Sequence, residues 1–148
     1  MAHVVFKKFE ELTNEELYET LRLRTEIFVL EQTCLYQDLD GRDQVCIHAV
    51  MYEGEKIVGY LRILPPGQTF DTTAIGRVIV PMEERRQGYA RQLMVDTLKY
   101  IKDNLNVSLV KMSAQQYLTA FYESLGFRIT SEPYLEDDIP HIEMEIDL

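Results

Sequence analysis

Cysteine, long apolar runs and positive charge are all scarce in this chain, and each scarcity disfavours a class of protein. The two cysteines, Cys34 and Cys46, have no metal-site spacing, so we expect free thiols in a reducing compartment. No apolar segment approaches the roughly 20 residues of a membrane-spanning helix. The apolar part of the N-terminal MAHVVFKKF is too short for a signal peptide. The sequence therefore predicts a cytoplasmic protein.

Basic residues number 15 against 25 acidic residues, which gives a formal net charge of −10. A negative surface repels nucleic acids and anionic membranes, so we expect neither as a partner. The same charge is compatible with a cationic substrate, although acidic residues also serve solubility alone.

Several catalytic signatures are missing as well. The G-x-S-x-G motif of one large hydrolase class is absent, and so are the phosphate-binding GxxxxGK(S/T) and dinucleotide-binding GxGxxG motifs. The three histidines are scattered, so we expect no metal site. We expect His48, inside a strand, to lie in the core, and His3, near the terminus, to be solvated.

The 148 residues are most simply one domain, 1–148, because no linker, repeat or low-complexity tract divides them. A strand–helix–strand order around 88–103 requires a parallel crossover. We therefore expect an α/β fold whose mixed sheet is antiparallel at both ends and covered on each side. The predicted strands lie over 3–9, 45–53, 56–64, 74–80 and 107–114 and near 127–131 and 140–147. The predicted helices lie over 14–31, 88–103 and 115–125, and a Thr13–Glu16 capping box begins the first of them. We expect an ordered loop over 33–44.

The stretch EERRQGYAR, residues 83–91, gathers positive charge where a helix begins. A helix N-terminus presents unpaired backbone N–H groups, which bind phosphate. Gly88 and Ala90 leave room for a ligand near the backbone, and Arg85, Arg86 and Arg91 add charge at the rim. The residues alone leave two interpretations open: a pyrophosphate site, and a glycine turn beside solvated arginines.

The spacing of this stretch resembles a known signature. Arg85-x-x-Gly88-x-Ala90, between an apolar strand and an amphipathic helix, is similar to the acyl-CoA motif Q/R-x-x-G-x-G/A of the GNAT acetyltransferase superfamily.

A second motif, QQYLTAFYESLGF at 115–127, resembles the superfamily pattern N-x-x-A-x-x-x-Y-x-x-x-G-F. Tyr122, Gly126 and Phe127 match it, whereas Gln115 and Leu118 replace the usual Asn and Ala. The segments RTEIFVLEQTCLYQDLDGRDQ and EPYLEDDIPHIEM look like the ElaA-like branch, so the resemblance covers nearly the whole chain.

The resemblance implies a single-domain acyl-CoA N-acyltransferase fold of the α/β (α+β) class, with a central mixed sheet flanked by helices on both faces. It implies transfer of an acetyl group from acetyl-CoA to a primary amine, by direct attack in a ternary complex. It also implies that backbone N–H groups of the 78–80 strand bind the thioester oxygen and that Tyr122 is the general acid. The cofactor-binding residues that it implies are Val78, Ile79, Val80, Arg85, Arg86, Gln87, Gly88, Tyr89, Ala90, Arg91 and Gln115.

The base and the acceptor are less constrained. His141 is a candidate base because imidazole titrates near neutrality, but a structural role is the more common one for such a histidine, and we assign no base. Carboxylates in 31–43 and 132–141 favour a small or peptide amine with positive charge, unless these acids only face solvent. The alternative function is a non-catalytic acyl-CoA binding or sensing module. A monomer and a homodimer both remain open.

Overall fold

A mixed eight-stranded sheet organises the fold in the computed structural model, which describes residues 1–148. The strand order is β1-β2-β3-β4-β5-β8-β6, and β7 also pairs with β8. Only β4 and β5 run parallel, so the predicted mixed sheet with antiparallel strands at both ends is confirmed. The strands are β1 Ala2–Lys8, β2 Ile47–Glu53, β3 Lys56–Leu64, β4 Thr73–Ile79, β5 Leu109–Gln115, β6 Arg128–Ile129, β7 Tyr134–Glu136 and β8 Ile139–Asp147.

Three α-helices, α1 Asn14–Arg24, α2 Tyr89–Asn104 and α3 Thr119–Ser124, accompany the sheet. The chain continues from α1 as a π-helical segment, Thr25–Glu31. No helix combines the length and the apolar composition that crossing a membrane would require.

The first helix begins where the capping box predicts. The Thr13 hydroxyl accepts a hydrogen bond from the Glu16 backbone N–H at 3.0 Å, and the Glu16 carboxylate accepts one from the Thr13 N–H at 2.9 Å. Residues 14–31 are helical as expected, but the last seven form the wider π-turns. Apolar spacing does not distinguish the two helix types, so the sequence could not predict this change.

Helices cover both faces of the sheet, as predicted. Ala49 and Met51 of β2 point into a cluster of 17 buried residues that includes Leu93 of α2. Val50, between them, points the other way and packs in a second cluster with Leu23 of α1. Successive residues of a strand face opposite sides, so this one strand contributes to both cores.

The sheet opens between its two parallel strands. Pairing of β4 with β5 is limited to Thr73 with Val110 and Ala74 with Lys111. Beyond these pairs the strands separate. Strand β4 also has a bulge on the edge that pairs with β3. The register between the two strands shifts near Arg77 of β4, whose φ is +53°. Bulges bend a strand and re-aim its side chains, and this one lies beside the opening.

Several boundaries differ from the predicted ones. The first hairpin strand begins at Ile47, because Asp43–Val45 forms a 3-10 turn. The predicted 115–125 helix begins later, because Gln115 ends β5 and a 3-10 turn over Gln116–Leu118 precedes α3. The predicted strand near 127–131 is only two residues long.

Strand β7 was not predicted. It pairs antiparallel with the start of β8, and Asp137 and Asp138, with φ of +51° and +62°, connect the two strands. A two-residue hairpin turn needs positive φ at both central positions, and the usual sequence signal is Asn-Gly or Asp-Gly. Here two aspartates adopt positive φ, and neither Asn-Gly nor Asp-Gly is present. The sequence of this segment therefore resembles an acidic loop.

Candidate functional site

A cavity of about 1020 Å³ lies where β4 and β5 separate. Phe28 and Glu31 of the π-helical segment line one side, and His141 and Glu143 of β8 line another. The predicted oxyanion strand, residues 78–80, contributes all three of its residues to the wall. The cavity therefore adjoins the strand end that is expected to bind a thioester.

A smaller cavity of about 190 Å³ adjoins the first one at the beginning of α2. It shares Val80, Arg85, Ala90 and Phe121 with the larger cavity, so the two form a continuous groove. Of the predicted cofactor-binding residues, Gln87 alone lines neither cavity. The smaller cavity is lined by Val80, Glu84, Arg85, Arg86, Gly88, Tyr89, Ala90, Arg91 and Phe121.

The start of α2 presents a free backbone to this smaller cavity. Gly88 caps the helix with φ of +79°, and the first helical hydrogen bond runs from the Gln92 N–H to the Gly88 carbonyl at 3.1 Å. The N–H groups of the first turn, Tyr89, Ala90 and Arg91, therefore have no partner within the helix. A Cβ added at Gly88 would meet no atom within 4 Å, which leaves open space for a ligand. This geometry fits a pyrophosphate.

The three arginines of the motif have different environments. Arg85 forms an ion pair with Glu31 at 3.0 Å and donates to the Val80 carbonyl at 2.9 Å. Arg91 donates to the Ser124 hydroxyl at 2.7 Å. Arg86 is exposed and has no ion pair or side-chain hydrogen bond. Arg85 thus joins the motif to the π-helical segment, and Arg86 has the free cationic group.

Tyr122 lies in the core and lines the larger cavity. The residue is 4% exposed, and its ring packs edge-on against Phe121 and Phe127. Its hydroxyl makes no hydrogen bond within the protein. Burial raises the pKa of Tyr122 well above the ordinary value of 10, so the phenol remains protonated at neutral pH. A protonated, unpartnered hydroxyl at the cavity can donate a proton.

Gln115 ends β5 at the cavity. Its side-chain amide is hydrogen-bonded at 3.2 Å to that of Gln32, the residue that directly follows the π-helical segment. Gln115 is also paired across the strands with His141 of β8. Gln115, at the position where the superfamily usually has Asn, thus links two walls of the cavity.

The carboxylates of the loop 33–44 do not face solvent, which corrects one interpretation from the sequence. Asp38 and Asp43 are 6% and 5% exposed. Arg24 of α1 donates to both carboxylates, at 2.8 Å each. Arg62 of β3 donates to Asp43 at 2.9 Å and to Asp40.

Arg77, at the bulge of β4, completes the cluster with an ion pair to Asp38 at 2.7 Å. Burial alone would raise the pKa of Asp43, but hydrogen bonds and charges from Arg24 and Arg62 outweigh it and lower that pKa. Three arginines thus face three aspartates, and the loop's negative charge is neutralised internally. The arginines are distant in sequence and carry no motif, so sequence patterns do not predict the cluster.

A polar group from β5, β7 and β8 lines another wall of the cavity. The sequence did not predict its contact between Ser113 and Tyr134, because β7 itself was not predicted. The Ser113 hydroxyl lies 2.5 Å from the Tyr134 hydroxyl and 3.3 Å from a Glu136 carboxylate oxygen. His141 is 7% exposed and lies beside both β7 side chains. The structure therefore places the candidate base His141 at the cavity, together with Glu136 and Asp137.

Three predictions for histidines and cysteines are confirmed: His48 lies in the core, His3 is exposed, and both cysteines are free. His48 is buried and hydrogen-bonded to Tyr60, and His3 is exposed. Cys34 and Cys46 are both free thiols.

Comparisons with known proteins identify the family. The model of the acetyltransferase (GNAT) domain matches residues 10–148. A UPF0039 protein of Schizosaccharomyces pombe is 41% identical over 146 residues, 97% of this chain and 96% of the relative. ElaA of Escherichia coli is 40% identical over 136 residues, 90% of this chain and 89% of ElaA.

Among solved structures, that of an acyl-CoA N-acyltransferase from Pseudomonas aeruginosa matches with a TM-score of 0.91 and 40% identity, and covers 99% of each chain. The match confirms the predicted fold. Together, the two cavities, the two motifs and these similarities lead to one conclusion: the chain belongs to the GNAT acetyltransferase family, among relatives of the ElaA and UPF0039 type.

Proposed function

We propose that this protein is a cytoplasmic N-acetyltransferase that transfers the acetyl group of acetyl-CoA to a primary amine, by direct attack within a ternary complex. The observation that carries the proposal is the continuous groove from the free N–H groups at Gly88 to the hydroxyl of Tyr122. The similar Pseudomonas aeruginosa protein, an acyl-CoA N-acyltransferase, supports the same chemistry. The free thiols support the location.

In this proposal the chain's own groups divide the work along the groove. The backbone of the first turn of α2 and the free cation of Arg86 bind the pyrophosphate. Backbone N–H groups near Val80 stabilise negative charge on the thioester oxygen. The Tyr122 hydroxyl donates the proton that the departing sulfur needs. Acetyl-CoA supplies the activated acetyl group.

We propose a positively charged amine as the acceptor, because some of the carboxylates at the cavity have no cationic partner. Asp38, Asp40 and Asp43 are neutralised by arginines, so they no longer support this preference. Glu136 and Glu143 line the cavity near β8 and have no Lys or Arg partner. Opposite charge there would raise the encounter rate of a cation.

Acetyl-CoA binding is tested by thermal shift with two substitutions of one glycine. We expect acetyl-CoA to raise the Tm of the wild type, Gly88→Asp to abolish the shift, and Gly88→Asn to retain more of it. Asn has the shape of Asp and tolerates positive φ, so the pair isolates the carboxylate's repulsion of the pyrophosphate. A wild type that shows no shift at millimolar acetyl-CoA would overturn the proposal.

Catalysis is tested by CoA release from acetyl-CoA with a panel of primary amines. We expect release with at least one cationic amine and a rate that climbs towards pH 8 to 9, because the free-amine fraction grows. Acetyl-CoA binding without release from any amine would favour the non-catalytic acyl-CoA-binding module.

The acceptor's charge is tested by measuring kcat/KM for a matched cationic and neutral amine at two salt concentrations. We expect the cationic amine to be preferred and the preference to weaken with salt. A neutral amine preferred at low salt would refute the charge argument and leave the acetyl transfer intact.

A further inference from the structure

We infer that His141 is the general base of the reaction and accepts the proton that the attacking amine loses. The inference rests on the proposed acetyl transfer. It concerns the half of the cavity opposite Tyr122, where β5, β7 and β8 meet.

The hydrogen bonding of His141 determines which ring nitrogen can act. Its Nδ1 lies 2.7 Å from the Ile139 carbonyl oxygen, which can only accept a hydrogen bond. Nδ1 therefore carries the proton, and in the neutral ring Nε2 has a free lone pair. No carbonyl or hydroxyl binds Nε2 within the protein. The backbone of β8 thus holds the imidazole in its proton-accepting tautomer.

His141 lies on β8, beside the predicted cofactor contact Gln115 of β5. His141 is directly opposite Gln115 across the β5–β8 ladder, where side chains of paired residues lie about 5 Å apart at Cβ. Gln115 is the predicted cofactor contact at the end of β5. The His141 side chain, one strand beyond it, lines the same cavity as Tyr122, where the proposed reaction places the acetyl group.

Carboxylates from three parts of the chain surround the ring. The Glu136 carboxylate of β7 lies 3.5 Å from Nε2. Glu143 lies two residues along on the same face of β8, and the turn between the strands adds Asp137 and Asp138. From β5, neutral Ser113 and Gln115 face the ring, and the other β7 neighbour is the Tyr134 phenol.

The same carboxylates attract a cationic amine to the ring. Glu136 itself is a poorer candidate, because its side chain is 50% exposed and imidazole is the side chain that titrates closest to neutrality. The arrangement therefore assigns proton removal to Nε2 and the supporting negative charge to Glu136.

The proposed step conserves atoms and electrons. The amine attacks in its neutral form, after the ammonium has lost one proton to solvent. Its lone pair forms a bond to the acetyl carbonyl carbon. His141 Nε2 takes one N–H proton, and the carbon–sulfur bond breaks with its electron pair on sulfur. Tyr122 donates a proton to that sulfur. The imidazolium then loses its proton to solvent, and the phenolate regains one, which restores both residues.

The test compares two substitutions of His141. In His141→Asn the amide can still donate to the Ile139 carbonyl, so a structural role would be preserved while the base is lost. We expect kcat to fall by about 10²-fold, with the acetyl-CoA-induced Tm shift retained. In His141→Ala we expect added imidazole to restore CoA release in proportion to its concentration. His3→Ala, which removes the exposed histidine, is the matched control and should change neither quantity.

The outcomes separate this inference from the proposed function. A wild type that releases no CoA with any amine would overturn both. An active wild type whose His141→Asn variant keeps its kcat would overturn the assignment of His141 alone. A His141→Ala variant that has lost activity, still binds acetyl-CoA and does not respond to imidazole would also overturn it.

Discussion

Among single residues, Tyr122 differs from Tyr36 and Tyr134, two other phenols at the cavity, in having no hydrogen-bond partner. Tyr36 donates to Asp38 and Tyr134 contacts Ser113, whereas the buried Tyr122 hydroxyl makes no hydrogen bond within the protein. The arrangement supports a proton donor better than a packing residue.

We expect Tyr122→Phe to lower kcat by about 10²-fold, the low end for a lost proton donor, with little change in acetyl-CoA affinity. Phe retains the ring that packs between Phe121 and Phe127, so the fold is preserved. CoA-release kinetics and the acetyl-CoA-induced Tm shift measure the two quantities. Tyr18→Phe, which alters an exposed phenol of α1, is the control. Equal losses of binding and turnover would identify Tyr122 as a packing residue.

Among the elements, the start of α1 shows how one carboxylate serves several structures. Glu16 caps the helix, pairs with Lys7 of β1 at 2.8 Å and accepts a hydrogen bond from Tyr52 of β2 at 2.6 Å. Burial alone would raise the pKa of Glu16, but these hydrogen bonds outweigh it and lower the pKa from the ordinary 4.5 to about 2. The ionised carboxylate therefore attaches α1 to the sheet.

We expect Glu16→Gln to lower the free energy of unfolding at pH 7 by about 3 kcal/mol, the equivalent of that shift in pKa. Because the folded-state pKa is depressed, this stabilisation is present above pH 4.5 and is lost as the pH falls towards 2. Urea denaturation should thus show less than about half of the difference at pH 3. The exposed Glu15→Gln is the control. A difference that does not change with pH would contradict the assignment.

At the scale of the whole molecule, the cluster of Arg24, Arg62 and Arg77 with the loop aspartates holds one wall of the cavity. It joins α1, the 33–44 loop, β3 and the bulge of β4. Removing one partner from a buried ion pair leaves an uncompensated charge, which is costly. The cluster therefore makes the position of the loop depend on every one of its members.

We expect Asp43→Asn to lower stability by about 3 to 5 kcal/mol and the Tm by roughly 10 °C. The Asp43 carboxylate oxygen accepts from Arg24 and from Arg62, and Asn has the same shape without the charge. Thermal unfolding measures the effect. Asp71→Asn, at an exposed position, should leave the Tm nearly unchanged. An equally small change for Asp43→Asn would mean that the cluster contributes little to stability.

The sequence by itself determined the features that depend on neighbouring residues. The Thr13–Glu16 cap, the amphipathic helix after Gly88, the strands of the sheet and the family all follow from local spacing. A helix N-terminus and its capping glycine are contiguous, so the motif around Gly88 was sufficient to predict a phosphate-binding geometry. Most of the predicted cofactor residues accordingly line the two cavities.

Only the tertiary structure decided what depends on contacts between distant segments. Arg77 and Asp38 are 39 positions apart, and their pairing follows from the bulge of β4. The tautomer of His141 depends on β8, and its carboxylate neighbour depends on a turn formed by Asp137 and Asp138 at positive φ. A titratable side chain can be neutralised by a partner, can act as a base or can be solvated, and its burial and its partners determine which. Both depend on the fold of the complete chain.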